Sequence, residues 1–279
     1  MTSALLQHEP LLRVGCFLLV FLVMAAWEIA APRRARSLSR RDRWPRNIGI
    51  VVLDTLVVRV LFPGAAVGLA LLAEERGWGL LAALELPAWL SIVLAVVVLD
   101  FAIYLQHVMF HAVPAFWRIH RMHHADLDFD VTTGTRFHPI EIVLSMLIKF
   151  AVIVAIGAPA VAVLIFEVLL NATSMFTHGN VQLDPRLDRV LRSVIVTPEM
   201  HRVHHSVHRN ETNSNFGFNL SWWDRLLGTY RAQPRDGHEG MTIGLENLRD
   251  RRSCVTLGGM LMIPFSSAGG GYAINERGG

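Results

Sequence analysis

Eight of the thirteen histidines fall into three short clusters, each with the spacing of a single helical face. The first cluster has two histidines four residues apart, and the other two follow the pattern His-x2-His-His. Because positions i, i+3 and i+4 share one face of a helix, each cluster would present its imidazoles together. Imidazole is a neutral ligand suited to iron, zinc, copper and nickel. The spacing therefore predicts a metal centre, with enough ligands for two ions, built from His107, His111, His120, His123, His124, His201, His204 and His205.

A second set of residues lies close enough to the clusters to support them. His178 directly follows a long apolar run, and we expect it to be a ninth ligand. Asp100 and Tyr104 precede His107 at helical spacing, on the same predicted face. Metal-bound histidine usually donates its other N–H to a carboxylate or carbonyl, so Asp100 and Glu141 are candidates for that partner.

The remaining polar candidates are one asparagine and the histidines outside the clusters. Asn180, two residues after His178, is included with Asp100, Tyr104 and Glu141 as a candidate catalytic residue. His138 is open between a metal ligand and a hydrogen-bond donor behind the ligands. The other histidines lie away from the clusters and are expected at the surface or in a solvated loop: His8, His208 and His238.

Five apolar runs must position these residues, at 11–31, 48–72, 89–111, 140–156 and 159–176. Each is long enough, or nearly so, to cross a hydrocarbon core of about 30 Å. Seven arginines between positions 33 and 46 should stay cytoplasmic, so the first run is expected to be retained as an anchor. The last two runs are split by Gly157-Ala158-Pro159 and should form a helical hairpin.

The parity of five crossings brings the histidines to one side. With an outer N-terminus, the third and fifth runs both end at the cytoplasmic face, where the C-terminal region also lies. We predict an all-α fold, an integral membrane bundle of about five transmembrane segments with a helical, His-rich cytoplasmic catalytic cap. The expected divisions are an anchor region at 1–96, a catalytic domain at 97–250 and a partly disordered tail at 251–279.

The composition agrees with a membrane protein. Of 279 residues, 52% are hydrophobic and only 18% are charged, where a soluble domain carries about 25% charged residues. The same figures exclude a disordered or fibrous chain. The net charge of +3 fits an anionic membrane surface as readily as a polyanion, so no nucleic acid partner is expected. Two cysteines cannot form a disulfide framework.

The motifs, in this order and spacing, resemble the fatty acid hydroxylase (sterol desaturase) superfamily over about half the chain, roughly 97–245. Besides the three histidine clusters, the resemblance rests on Arg136-x-His138-Pro139-x-Glu141 and on two later blocks. Those blocks are Asn213-Ser214-Asn215-Phe216-Gly217 and the run 222–230, which begins Trp222-Trp223-Asp224-Arg225. Val108 stands where family members often carry an arginine, a change not expected to affect metal binding.

The resemblance implies a membrane-bound non-haem di-iron oxygenase. The eight clustered histidines and His178 would then bind two iron ions, with O2 as co-substrate and zinc possible in the purified protein. Members hydroxylate or desaturate a C–H bond of a lipid such as a sterol, carotenoid, ether lipid or fatty acyl chain. The substrate would enter from the bilayer, and electrons would come from an external ferredoxin- or cytochrome-type donor with its reductase. The scarcity of lysine favours a bacterial inner membrane, with the site on the cytoplasmic side.

Other classes of protein fit the residues less well. A membrane zinc hydrolase would carry an H-E-x-x-H helix, which the sequence lacks. A metal transporter would place its histidines along a path near the middle of the bilayer, and a bis-histidine haem protein would pair them deep in two helices. A membrane metal-binding or transport protein, or an inactive family member with a binding role, remains the alternative. A surface rich in arginine is a candidate docking site for an electron donor, the alternative being a plain solvated face; its members are Arg186, Arg189, Arg192, Arg202 and Arg209.

Overall fold

A computed structural model describes residues 6–275 of the chain. Helices run throughout, and across these residues β pairing is limited to four isolated bridges. In chain order the helices are α1 (Glu9–Ala30), α2 (Arg40–Leu61), α3 (Ala65–Arg76), α4 (Leu80–Ala83), α5 (Ala88–Ala112), α6 (Pro114–His124), α7 (Pro139–Ile156), α8 (Ala160–Thr177), α9 (Pro185–Leu191), α10 (Pro198–His204), α11 (Arg209–Thr212), α12 (Trp222–Leu226), α13 (Gly237–Gly240), α14 (Arg251–Val255) and α15 (Leu257–Met262), with 3-10 turns at Thr133–Thr135 and Ile263–Phe265. The predicted all-α class is confirmed.

Five segments of the described chain are long and apolar enough to cross a membrane, as the sequence predicts. They are α1, the continuous stretch from α2 to α4, α5, α7 and α8. Helix α8 is the most enclosed of the five, with half of its apolar window buried. Packing against the lipid-facing helices explains this burial, since α8 contacts α1, α3 and α5.

The five segments alternate in direction, so one end of the bundle collects the histidine-bearing connections. At the far end, the turn between α7 and α8 passes close to the start of α4. Gly157 there has a φ of +64°, and a Cβ placed on Gly79 would lie 2.0 Å from the Gly157 nitrogen. Glycine at both positions therefore permits the backbones to touch. At the other end lie the C-terminal ends of α1, α5 and α8, the N-terminal ends of α2 and α7, and the short helices from α9 onward.

A buried ion pair joins α2 to the loop that follows α6. The Arg43 guanidinium donates to both Asp126 oxygens at 2.9 and 2.7 Å, and it also bonds to Asp130 and to Thr133 Oγ1. Burial alone would raise the pKa of Asp126, but Arg43 and Arg136 lower it to about 2. The loop is thereby fixed in place directly behind the second histidine cluster.

A second charged group lies within the bundle itself. The only lysine in the chain, Lys149 on α7, donates to Glu167 on α8 at 2.7 Å, and Arg13 on α1 lies 3.2 Å from the same carboxylate. Charges within a membrane span are costly unless they are paired. Here the pairing ties three of the membrane-spanning helices together.

The C-terminal segment, expected as a partly disordered tail at 251–279, makes defined contacts where the structure describes it. Residues 268–275 pack against the histidine-bearing helices, while 276–279 lie outside the described residues. The Trp117 indole donates to the Gly269 carbonyl at 3.0 Å, and the Ile274 N–H donates to the His111 carbonyl at 2.8 Å. Tyr272 is buried and stacks on Trp117. The glycines suggested a free tail, but these contacts supply the ordering that composition could not show.

Candidate metal centre

The nine histidines predicted as ligands come together in two adjacent groups. One group has five members, and within it the ligand atoms all lie within 4.8 Å of one another; the second group has four members under the same limit. The first group comprises His107, His111, His120, His124 and His204, and the second His123, His178, His201 and His205. All nine side chains are buried.

Local sequence explains how each element positions its histidines. On α5, the four-residue step from His107 to His111 places both rings on the inward face at the end of the span. Helix α6 begins at Pro114, which fits the first helical position because no N–H is needed there. Helix α10 begins at Pro198 with the Thr197 hydroxyl accepting from the Met200 N–H. Both short helices therefore start abruptly and carry their histidines at or next to their C-terminal ends.

Most of the rings are fixed by a hydrogen bond on Nδ1. Backbone carbonyls accept from four of the nine rings: Phe216 from His107 (2.8 Å), Arg136 from His123 (3.1 Å), Ser174 from His178 (2.7 Å) and Ser214 from His204 (2.7 Å). Side chains accept from two more: Glu141 Oε1 from His120 (2.7 Å) and Asn213 Oδ1 from His111 (3.0 Å).

These partners decide which ring nitrogen faces the centre of each group. A carbonyl can only accept, so Nδ1 carries the proton in these neutral rings and Nε2 presents a lone pair. The Nε2 atoms of His178 and His123 nevertheless face each other at 3.2 Å, and those of His107 and His120 also lie at 3.2 Å. In the His178–His123 pair neither nitrogen has a proton to share, because both Nδ1 atoms donate to carbonyls. Two buried lone pairs at this distance repel unless a cation lies between them.

The spacing and the unpartnered atoms fit a transition metal. Two nitrogens about 2.1 Å from one ion, at right angles, would be about 3.0 Å apart. Here His178 Nε2 lies 3.0 Å from that of His201 and 3.2 Å from that of His205. The buried His204 Nε2 has no hydrogen-bond partner among the described residues. Nine nitrogen donors with no thiolate suit iron, zinc or copper rather than calcium or magnesium.

Burial keeps the histidines in the form that binds metal. Desolvation lowers the pKa of His123, His124, His201, His204 and His205 well below the usual 6.5, and mutual repulsion among the imidazoles lowers each further. Burial also lowers the pKa of His178, to about 4. These six rings are therefore neutral at physiological pH, so a metal need not displace protons from them.

Aromatic rings surround the two groups, and two of them lie between the groups. Phe137 stacks on His123 with 4.5 Å between the ring centroids, and its centroid lies 6.4 Å from that of His120. The ring centroid of Phe218 lies 5.1 Å from that of His107 and 6.4 Å from that of His201. Each of these phenylalanines thus contacts one histidine from each group.

Three candidate catalytic residues lie away from the histidines. Asp100 is seven residues before His107, about 10 Å along the helix, and accepts from the Asn219 and Leu220 N–H groups and the Trp223 indole. The expectation that Asp100 holds a metal ligand is therefore wrong. A shared helical face does not bring residues two turns apart to the same partner.

The other two also make structural contacts. The Tyr104 hydroxyl shares a hydrogen bond with Thr229 Oγ1 at 2.9 Å. The Asn180 side chain pairs with the Arg34 backbone, and its N–H donates to Glu28 at 2.8 Å. In the described part of the chain we find neither side chain in contact with the nine histidines.

Two further expectations need correction. His238, expected at the surface, is buried beside Glu199, with Nε2 2.7 Å from its carboxylate. In the proposed docking surface, Arg192 and Arg202 are buried and cannot contact a partner directly. His138 belongs to neither histidine group; it caps α7, accepting from the Ile140 N–H at 3.1 Å.

Asn213 also contacts the histidine groups, and the spacing of the histidines did not identify it. Its Oδ1 accepts from His111, while its Nδ2 donates to the Tyr272 carbonyl at 2.7 Å. The block 213–217 also supplies the Ser214 and Phe216 carbonyls to two other histidines. The resemblance of this block to a family motif was the feature of the sequence that could have identified these contacts. A backbone carbonyl that accepts a hydrogen bond cannot be recognised from residue type.

Replacing Glu141 should weaken metal binding at the five-histidine group. Glu141→Ala leaves the His120 Nδ1 without its acceptor, and such changes lower metal affinity about 10–100-fold. Glu141→Gln keeps a neutral acceptor and should lose less. Competition with a chelator on the purified protein measures the affinity, with exposed Glu239→Ala as the control. Equal affinities for Glu141→Ala and the wild type would contradict this role.

Comparison with known proteins agrees with the geometry. The fatty acid hydroxylase family model matches residues 92–229, which include all nine histidines. An ornithine lipid hydroxylase of Rhizobium tropici is 32% identical over 149 residues, covering 53% of this chain and 44% of that protein. Human alkylglycerol monooxygenase is 30% identical over 154 residues, covering 55% of this chain and 33% of that protein.

These similarities are confined to one part of each relative. The chain spans less than half the length of either protein. No solved structure gives a significant match. The family match and the histidine clusters within it nevertheless agree, and this chain belongs to the fatty acid hydroxylase superfamily.

Proposed function

We propose that the chain is a membrane-bound lipid hydroxylase that holds two iron ions in its two histidine groups. The observation that carries the proposal is the convergence of nine Nε2 atoms in two adjacent groups. They lie within a domain that the chain shares with lipid hydroxylases and monooxygenases. A metal transporter would need its ligands along a path through the bilayer, whereas here they lie at one end of the bundle.

The reaction would convert R–H, O2, two electrons and two protons into R–OH and water. Bound iron would supply the activation of O2, because an aliphatic C–H bond offers no acid, base or nucleophile for side chains to act on. The chain's own residues have three tasks. The Nδ1 acceptors hold six of the nine rings in fixed orientations, burial excludes water from the centre, and Glu141 strengthens His120 as a donor.

A lipid C–H bond would approach beside Phe137 and Phe218. These rings contact both histidine groups and are only partly buried, whereas the histidines are fully enclosed. Phe218 also packs against the apolar core of the spanning helices. A displaced ring here would open the centre towards the bilayer. The named relatives favour a polar lipid with an acyl or alkyl chain, and hydroxylation over desaturation.

The side of the membrane and the electron donor can be inferred from the arginines near the histidine end and from the two electrons that the reaction needs. The seven arginines between α1 and early α2 lie at the histidine end of the bundle, which favours that end as cytoplasmic. A bacterial inner membrane fits the bacterial relative. Two electrons per turnover would come from a soluble ferredoxin- or cytochrome-type donor with its reductase.

Isotope labelling tests the proposal. Membranes containing the protein should yield lipids heavier by one oxygen, and under 18O2 the added oxygen should carry the label. The control is the His123→Ala/His204→Ala variant, which removes one ligand from each group and should give no product. Unlabelled product, or equal product from the variant, would rule out O2-dependent hydroxylation at this centre.

A further inference from the structure

An exposed apolar patch lies beside the bundle, outside the five spanning segments. Six side chains form it, and they are 42–73% exposed, with Leu226 at 73% and Val190 at 67%. The interfacial patch, as we call it, comprises Leu187, Val190, Val194, Trp222, Leu226 and Leu227. Contiguous exposed apolar surface of this kind marks contact with another protein or with a membrane.

Hydrogen bonds hold the two parts of the patch together as one surface. The Ser221 N–H donates to the Val194 carbonyl at 3.1 Å, and the Trp222 indole donates to the Ser193 carbonyl at 3.1 Å. The Arg225 guanidinium donates to the Arg192 carbonyl at 2.9 Å. Helix α9 and helix α12 are therefore neighbours although 30 residues separate them in sequence.

The same segment is fixed to the bundle at the level of a membrane span. Asp100 on α5 accepts from the Leu220 N–H and from the Trp223 indole at 3.2 and 2.8 Å. Asp100 lies twelve residues before the end of α5, about 18 Å along the helix. Residues 219–223 thus lie alongside a span, and the exposed side chains next to them lie at the depth of a lipid leaflet.

The charges around the patch indicate which lipids it meets. Arg186, Arg189 and Arg225 are exposed among the apolar side chains. Of the three acidic residues on these segments, Asp188 is paired with Arg192 at 2.5 Å and Asp184 caps α9, while the buried Asp224 accepts from the Phe216 and Gly217 N–H groups. Apolar side chains interleaved with arginine are typical of segments that lie in the interface of an anionic membrane.

We propose that the interfacial patch is inserted in the histidine-side leaflet of the bilayer, with its three exposed arginines binding anionic lipid headgroups. Continuity with α5 and the charge pattern support this placement, which requires neither a bound metal nor turnover. In consequence the arginine surface would serve the membrane rather than an electron donor. The patch would also hold lipid beside the 216–220 loop, where Phe218 contacts the two histidine groups.

Fluorescence quenching locates the patch. In a Cys16→Ser background, with Cys254 buried, Leu226→Cys is labelled with an NBD fluorophore in vesicles of phosphatidylcholine and phosphatidylglycerol. Doxyl-labelled lipid should quench it several-fold more strongly than it quenches labelled Asn210→Cys, an exposed residue of the polar groove near Tyr272. Aqueous iodide should show the reverse order. Iodide quenching equal at both sites would overturn the proposal and leave the patch to a protein partner.

A second measurement addresses the arginines. Electron spin resonance of restricted, spin-labelled lipid should show a preference for phosphatidylglycerol over phosphatidylcholine. Each arginine near the surface contributes about fivefold, so an Arg186→Gln/Arg189→Gln/Arg225→Gln variant should lose most of the preference. Arg235→Gln, an exposed control, should retain it. An unchanged preference in the triple variant would overturn the headgroup assignment, and neither experiment depends on iron or on hydroxylation.

Discussion

Replacing His178 with alanine is expected to remove one metal ion per chain and abolish lipid hydroxylation, while the other ion remains bound. His178 Nε2 lies within 3.2 Å of the Nε2 atoms of His123, His201 and His205, so it is the common neighbour of its group. The five-histidine group loses nothing. The fall in activity should exceed the roughly 10–100-fold cost of changing a residue behind a ligand.

A matched control for this variant is His138→Ala. His138 lies close in sequence to the ligands but outside both groups, where it caps α7. Its loss should cost about 1 kcal/mol of stability and leave both ions bound. Metal analysis of the two purified variants measures this difference. Two ions in His178→Ala, or one in His138→Ala, would contradict the assignment of ligands.

The largest effect on stability is expected from Arg43→Met. This change leaves the buried Asp126 and Asp130 carboxylates without their main partner, and breaking a buried pair in this way costs about 3–5 kcal/mol. The loop that carries these aspartates also positions the Arg136 carbonyl, which accepts from His123. The variant should therefore unfold more readily and bind metal less tightly.

Thermal unfolding in detergent measures this loss, with Arg41→Met as the control because Arg41 is exposed. The pH dependence gives a second readout. The folded-state pKa of Asp126 is about 2, below the usual 3.8. The ionised carboxylate therefore stabilises the folded protein fully at pH values above 3.8, and this contribution is lost as the pH falls towards 2. Equal melting temperatures for Arg43→Met and Arg41→Met would contradict the role of this ion pair.

The helices and the histidine groups were predictable because their signals are local. A 3.6-residue period and an apolar run each act within one element, so α5 and its two histidines could be placed from residue type alone. The alternation of five spans then brought the ends of α5 and α8 to one side. His178 was accessible for the same reason, since it directly follows a span.

The contacts that support the ligands were less predictable because they depend on the tertiary arrangement of distant loops. Glu141 lies 21 residues from His120, and Asn213 lies 102 residues from His111. Asp100 shares a helical face with His107, yet it meets the 219–223 segment, whose position no local pattern indicates. The packing of Tyr272 on Trp117 likewise orders a segment that its glycines suggested would be free.

Two metal ions should bind within these nine histidines. Mass spectrometry of the detergent-purified protein, reconstituted with ferrous iron without oxygen, should find about two ions per chain, one for each group. The His123→Ala/His204→Ala variant, which removes one ligand from each group, should lose both. One ion or none in the wild type, unchanged by the double substitution, would contradict a two-metal centre.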